Sequence, residues 1–99
     1  MKRVLSLASQ VRIRESIAVH ELQGELLLLN SATAVSVNLD PMGTRMWRLI
    51  QEHHALHNVL DALLHEYEVT EAQCEQDLLN FVAQMLEDGF VETAAEETS

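Results

Sequence analysis

The chain has little of several things that mark common protein classes: one cysteine, one proline, three glycines, one Trp, one Tyr and two Phe in 99 residues. A lone cysteine, Cys74, excludes an internal disulfide framework and suits a reducing compartment. Scarce Gly and Pro beside 47% hydrophobic residues exclude a disordered chain and leave room for one modest core. No apolar run approaches the roughly 18 residues of a membrane span; the longest, Leu26 to Leu29, has the length of a strand. Lys2 and Arg3 open the chain, but Ser6, Ser9 and Gln10 interrupt the apolar stretch behind them, and Arg12, Arg14 and Glu15 follow. That pattern is not a secretory signal. The expected location is the cytoplasm, without membrane association. There is no Gly-rich phosphate loop and no serine nucleophile elbow, so nothing in the sequence argues for an enzyme.

Positive charge is missing from half of the chain. All six Lys and Arg lie in residues 1–50, whereas residues 51–99 hold twelve Asp and Glu and no Lys or Arg. The net charge of −10 is therefore concentrated in the C-terminal half. Phosphate backbones are held by Lys and Arg that displace counterions, so a nucleic-acid partner is not expected.

What is present has two periodicities. Ile17 and Val19 alternate with polar neighbours, Gly24 interrupts, Leu26 to Leu29 follow, and Asn30-Ser31-Ala32-Thr33 is turn chemistry. Val35, Val37 and Leu39 then alternate with Ser36 and Asn38. Three short strands with tight connections predict an antiparallel meander. By pattern alone the leucine run also fits a buried helical turn; Gly24 and Asn30 at its ends favour a strand. Asp40 is a good N-cap and Pro41 suits the first helical position. Met42, Met46, Trp47, Leu49 and Ile50 share a face of a first helix over 41–52, where Gly43 allows another backbone close. Leu56, Val59, Leu60, Leu63, Leu64 and Tyr67 line a second helix. Thr70 to Gln73 matches a capping box that opens a third, with Cys74, Leu78, Phe81, Val82 and Met85 as its stripe. Gly89 is a natural left-handed cap, after which Phe90 folds back onto Met85. The expected fold class is α+β, a three-stranded antiparallel meander followed by a three-helix winged-helix-like bundle.

The remaining chemistry has plain explanations. His53, His54 and His57 match no structural zinc spacing, and His57, Asp61 and His65 share a helical face as solvated side chains do. Cys74 lies in an apolar stripe near Glu71 and Glu75, which disfavours a thiolate and favours packing. Trp47 at helical spacing with Met46 and Ile50 reads as core. No metal and no cofactor are expected.

The order Ser36-Val37-Asn38-Leu39-Asp40 with Gly43, Met46-Trp47-Arg48-Leu49, Leu63 to Tyr67, Asp77-Leu78-Leu79-Asn80-Phe81 and Leu86-Glu87-Asp88-Gly89-Phe90 resembles the PqqD family. The resemblance covers residues 15–92. It leaves 1–14 as a flexible segment or an extra strand and 93–99 as a disordered acidic tail. It implies a non-catalytic adaptor that recognises ribosomally synthesised and post-translationally modified peptides. In that family the leader of a precursor adds as a strand beside the third strand of the meander, under the third helix, and is presented to a modifying enzyme. The enzymes served are of the radical S-adenosylmethionine maturase or lasso-peptide leader protease type. The implied peptide-binding residues are Ala34, Val35, Ser36, Val37, Asn38 and Leu39 on the strand, with Asp77, Phe81, Gln84 and Asp88 on the helix and Cys74 and Leu78 beneath them.

Strand addition needs unpaired N–H and C=O groups on a sheet edge, and the last strand of a meander offers them. Proline at Val37 would remove one such donor if that N–H faces outward. The third helix is more acidic than this role usually asks, which points to a leader with basic or neutral anchor residues. Two other readings compete. A winged-helix DNA binder needs basic residues on 71–88, and none is there. A structural homodimer would pair the open edge or the Met-rich first helix with its own copy.

Overall fold

In the computed structural model, which describes residues 5–93, the elements follow in the order β1 (Val11–Ile13), β2 (Ile17–Leu22), β3 (Glu25–Asn30), β4 (Val35–Asn38), α1 (Pro41–His53), α2 (Leu56–Glu66), α3 (Glu71–Glu87) and β5 (Val91–Thr93). The expected meander is β2-β3-β4, antiparallel throughout, and the three expected helices follow it. Gln23 and Gly24 both adopt positive φ, 55° and 83°, so a two-residue turn matching the strands' twist joins β2 to β3. The leucine run is strand β3. Leu26, Leu28 and Asn30 face the helices and are buried, whereas Leu29 on the other face is 36% exposed.

A second sheet, of two strands, joins the ends of the described chain. β1 pairs antiparallel with β5, Arg12 opposite Glu92, and Glu92 also receives hydrogen bonds from the side chains of Arg12 and Arg14. The tail expected at 93–99 thus begins inside a strand; its remaining residues lie outside the described ones. The segment before β1 has a task that its sequence conceals. Ala55 caps α2 without a side-chain hydrogen bond, and the helix's first amides are satisfied by backbone instead: Leu56 N–H donates to Ser9 O at 3.1 Å and His57 N–H to Leu7 O at 3.2 Å. Unpaired amides at a helix start otherwise need water or a capping side chain. Val11 is fully buried in the core cluster against which Leu5, Leu7 and Ile13 also pack.

The other helix ends follow their sequence signals. Asp40 accepts from Gly43 N at 2.7 Å, with Pro41 in the first turn. Thr70 accepts from Gln73 N, but the capping box is only half formed, because the Gln73 amide turns forward and donates to Asp77 at 2.8 Å. At the far end of α3, Gly89 has φ 81°, its N–H donates to Leu86 O, and Phe90 N–H donates to Met85 O. This is a Schellman cap, and it returns Phe90 to the core.

Helix α1 separates two apolar clusters. Met46, Leu49 and Ile50 join Val11, Leu56, Leu63, Cys74, Leu78 and Val82 on one side. Trp47 joins Leu26, Leu28, Leu39, Met85, Phe90 and Val91 on the other. Arg45 clamps α1 to α2 by donating two hydrogen bonds to Glu66, whose pKa is lowered chiefly by them. The pair is exposed, so its contribution is small; it is present above the ordinary carboxylate value of 4.5 and fades as pH falls below it.

Trp47 has no exposed surface, so Trp47→Ala is expected to cost about 3–5 kcal/mol in denaturant-unfolding experiments. Its Nε1–H meets no acceptor among the described residues. Trp47→Phe, which removes that desolvated donor, should therefore cost clearly less than the alanine variant.

Candidate functional site

Strand β4 is the last strand of the meander, and its outer side pairs with no described strand. Its register decides which groups are available there. Leu39 N–H donates to Leu26 O at 2.8 Å, and Val37 stands opposite Leu28 with Val35 opposite Asn30. Antiparallel ladders alternate, so the amides of Val35, Val37 and Leu39 face β3, and those of Ser36 and Asn38 face away. The condition set for Val37, an outward N–H, is thus not met, and the outward donors lie one residue to either side: proline at Val37 would cut the native ladder, not the free edge. Ala34 lies in the preceding turn with φ 64°, its N–H donating to Asn30 O at 2.7 Å. Val37 is half-buried and Leu39 buried towards the helices, whereas Ser36 and Asn38 expose their side chains on the opposite face.

The corner after β4 is held by a hydroxyl. Thr44, 4% exposed, accepts from Leu26 N at 3.1 Å and donates to Leu39 O at 3.3 Å. It thereby extends the β3–β4 connection one pair past the strand's end, while Asp40 caps the helix that carries Thr44. Gly43 lies against this corner. A methyl group there would stand 3.3 Å from a ring carbon of Phe81, 3.1 Å from an Asp40 carboxylate oxygen and 3.5 Å from Leu39 Cβ. The close neighbour that Gly43 admits is therefore the Phe81 ring and not, as the sequence suggested, another backbone.

Phe81 brings α3 to the site. Its ring is half-buried and touches both apolar clusters. Asp77, Gln84 and Asp88 stand at i−4, i+3 and i+7 from it, on one helical face. Asp77 and Gln84 are exposed and Asp88 is half-buried. Each carboxylate takes a hydrogen bond from a neutral amide, Gln73 to Asp77 and Gln84 to Asp88 at 2.9 Å. No described arginine reaches them: Arg12 and Arg14 are engaged with Glu92, Arg45 with Glu66 and Arg48 with Glu21. Leu78 has no exposed surface and Cys74 is 5% exposed, so both lie under the face and not in it. Burial, and secondarily Asp77, pushes the Cys74 thiol up, away from a reactive thiolate.

The family model for coenzyme PQQ synthesis protein D (PqqD) matches residues 25–91. The chain belongs to the PqqD family. The matched stretch runs from β3 to the first residue of β5 and contains the open edge, the Thr44 corner and Phe81. Among solved structures, TbiB1 in complex with the TbiA(beta) leader peptide superposes with a TM-score of 0.79 at 27% identity, over 86% of this chain and 99% of that one. Lasso peptide synthetase B1 complexed with the leader peptide superposes with a TM-score of 0.76 over 84% of this chain and 98% of that one; at 23% identity it supports the fold alone. A search of curated proteins found no match. No described helix is long and apolar enough to cross a membrane.

Sequence reasoning read the last strand of the meander as an edge and Phe81 as part of the α3 stripe, but missed Thr44, since a threonine inside a helix carries no signal of what strand it meets. Thr44→Val keeps the shape and removes both hydrogen bonds. Leaving the buried Leu26 amide unsatisfied is expected to cost about 1–3 kcal/mol, and hydrogen exchange at Leu26 should accelerate more than at Leu28.

Proposed function

We propose that this chain is a non-catalytic adaptor that binds the leader of a ribosomally synthesised precursor peptide by strand addition to β4 and presents it to a modifying enzyme. The observation that carries this reading is the register of β4, which turns the main-chain groups of Ser36 and Asn38 outward, while Val37 and the half-buried ring of Phe81 pack against the same apolar cluster. Main-chain bonds to those residues supply affinity, and alternate side chains of the added strand face the Val35, Val37 and Phe81 side and supply selectivity. Membership of the PqqD family supports the same reading, as does the likeness to TbiB1, whose solved complex holds a leader peptide.

Among the described residues Asp77 and Asp88 have no cationic partner, which supports a leader segment that is basic or neutral where it passes them. The enzyme served is a radical S-adenosylmethionine maturase or a leader protease of the lasso-peptide kind. The buried Cys74 thiol, whose pKa burial raises, supports the non-catalytic reading.

The test is a fluorescence-anisotropy titration with the labelled leader of a precursor encoded beside this chain, against a scrambled leader and duplex DNA. Saturable binding of the leader alone is expected. Ser36→Pro, at an outward amide of an edge strand, should stay folded and weaken binding by about tenfold or more, whereas Val37→Pro should destabilise the sheet itself. Phe81→Ala should weaken leader binding further than it lowers stability, and Asp77→Asn with Asp88→Asn should flatten the salt dependence of binding. A folded Ser36→Pro variant with wild-type affinity would exclude strand addition at β4.

A further inference from the structure

The central strand of the meander is apolar on both faces, and the helices cover only one. β4 alternates, Val37 towards the helices and Ser36 and Asn38 away. β3 does not: behind buried Leu26 and Leu28, its other face carries Leu27 and Leu29. The strand registers place Ala18, Leu29 and Ser36 in one row across that outer face and His20, Leu27 and Asn38 in the next. Leu29 is 36% exposed, and Leu22, at the hairpin end of the same face, is 66% exposed. An unbroken apolar run is the pattern of a strand covered on both sides. In a chain of net charge −10, these rows contain no carboxylate; Glu25, opposite Leu22, marks their end.

We propose that this outer sheet face is the docking surface for the modifying enzyme, and that the enzyme reads it together with the bound leader. The inference rests on the leader reading of β4. A strand added beside β4 turns half of its side chains to the same side as Ser36 and Asn38, so the leader becomes the fourth strand of a continuous surface. An enzyme seated there contacts adaptor and leader at once and binds the loaded adaptor more tightly than the empty one. By linkage it also tightens the leader's own binding.

Size and charge favour the enzyme over a second copy. Three strands about 4.8 Å apart and six residues of about 3.3 Å each present roughly 300 Å², against about 800 Å² per partner in a standard stable interface. Two copies would have only that area and would meet with like net charge. An enzyme that holds the rest of the precursor in its active site is tethered by the peptide, and a second attachment raises the effective concentration at a small face. The complementary enzyme patch is apolar, bordered by cations that meet Glu25 and the acidic surface beyond.

The experiment uses the full chain, the labelled leader and the purified modifying enzyme encoded beside it, with Leu29→Glu as the probe and His57→Glu, on the exposed side of α2, as the control. The expected result is leader affinity within about twofold of wild type for Leu29→Glu and enzyme affinity for the loaded adaptor lowered by about tenfold or more, with His57→Glu unchanged in both. Wild type should bind enzyme more tightly with leader than without. Unchanged enzyme affinity for both Leu29→Glu and Leu27→Glu would overturn the proposal. A homodimer in sedimentation that Leu29→Glu dissociates would overturn it too, assigning the face to a second copy. Should the leader fail to bind wild type, the β4 reading falls by itself, and the effect of Leu29→Glu on enzyme binding to the empty adaptor still decides the face.

Discussion

Asn30 is 1% exposed, and its side chain joins three parts of the chain. The carbonyl oxygen accepts from Ser16 Oγ at 2.9 Å and Ala32 N at 3.0 Å, and the amide donates to Gly89 O at 2.8 Å. The first two bonds fix the entry to β2 and the turn between β3 and β4. The third fastens the sheet to the C-terminal cap of α3. A buried amide is costly unless its partners are all in place, so it permits few other arrangements of these segments. Gly89 serves the same contact twice. Its positive φ makes the cap, and a methyl group on it would lie 3.1 Å from the Asn30 nitrogen. With the C-terminal end of α3 held at Asn30 and Phe81 against Gly43 and Leu39, the helix has two fixed points along the sheet. The site beside β4 depends on both.

The open edge of β4 is held at one end for a related reason. Thr44 prolongs the β3–β4 connection beyond Asn38, and Asp40 starts α1 immediately, so no loop intervenes where the strand ends. A partner strand that adds to a preformed edge pays ordering entropy for itself but little for its receptor. Net gains per main-chain hydrogen bond are only about 0.5–1.5 kcal/mol, and two outward-facing residues do not supply many. On the proposed reading, preorganisation of the corner would therefore matter as much to affinity as the bonds that form.

Much of this was legible in the sequence because it rests on local chemistry. Period-two alternation marked β4, Asp40-Pro41 marked the start of α1, Thr70 opened α3, and Gly89 closed it. The parts that were not legible depend on contacts distant in the chain. Asn30 reads as a turn residue, and only its burial against Gly89 reveals a strut. The first turn of α2 has no capping side chain to find, because Leu7 and Ser9 supply backbone carbonyls from a segment without any motif. The condition left open at Val37 has a similar origin: alternation shows which side chains share a face, but the parity of the hydrogen bonds is set by the pairing of Leu39 with Leu26. Cys74 and Leu78 fit the stripe of α3, yet a stripe does not say which of its members surface beside a neighbouring strand.

The charge distribution completes the physical picture. The four described arginines are spent on joints between elements: β1 to β5, α1 to α2, and α1 to β2. Each joint uses a glutamate, so these ion pairs hold the frame while neutralising little of the acidic surface. Among the described residues the aspartates near Phe81 meet no cation, and their side-chain hydrogen bonds come from the neutral amides of Gln73 and Gln84 on the same helix. Such hydrogen bonds orient a carboxylate without cancelling it, and a like-charged strand approaching β4 is repelled before any ladder bond forms. On the proposed reading, selection of the peptide would act at two ranges: charge would reject acidic segments at a distance, and the fit of alternate side chains against Val37 and Phe81 would discriminate among those that reach the edge.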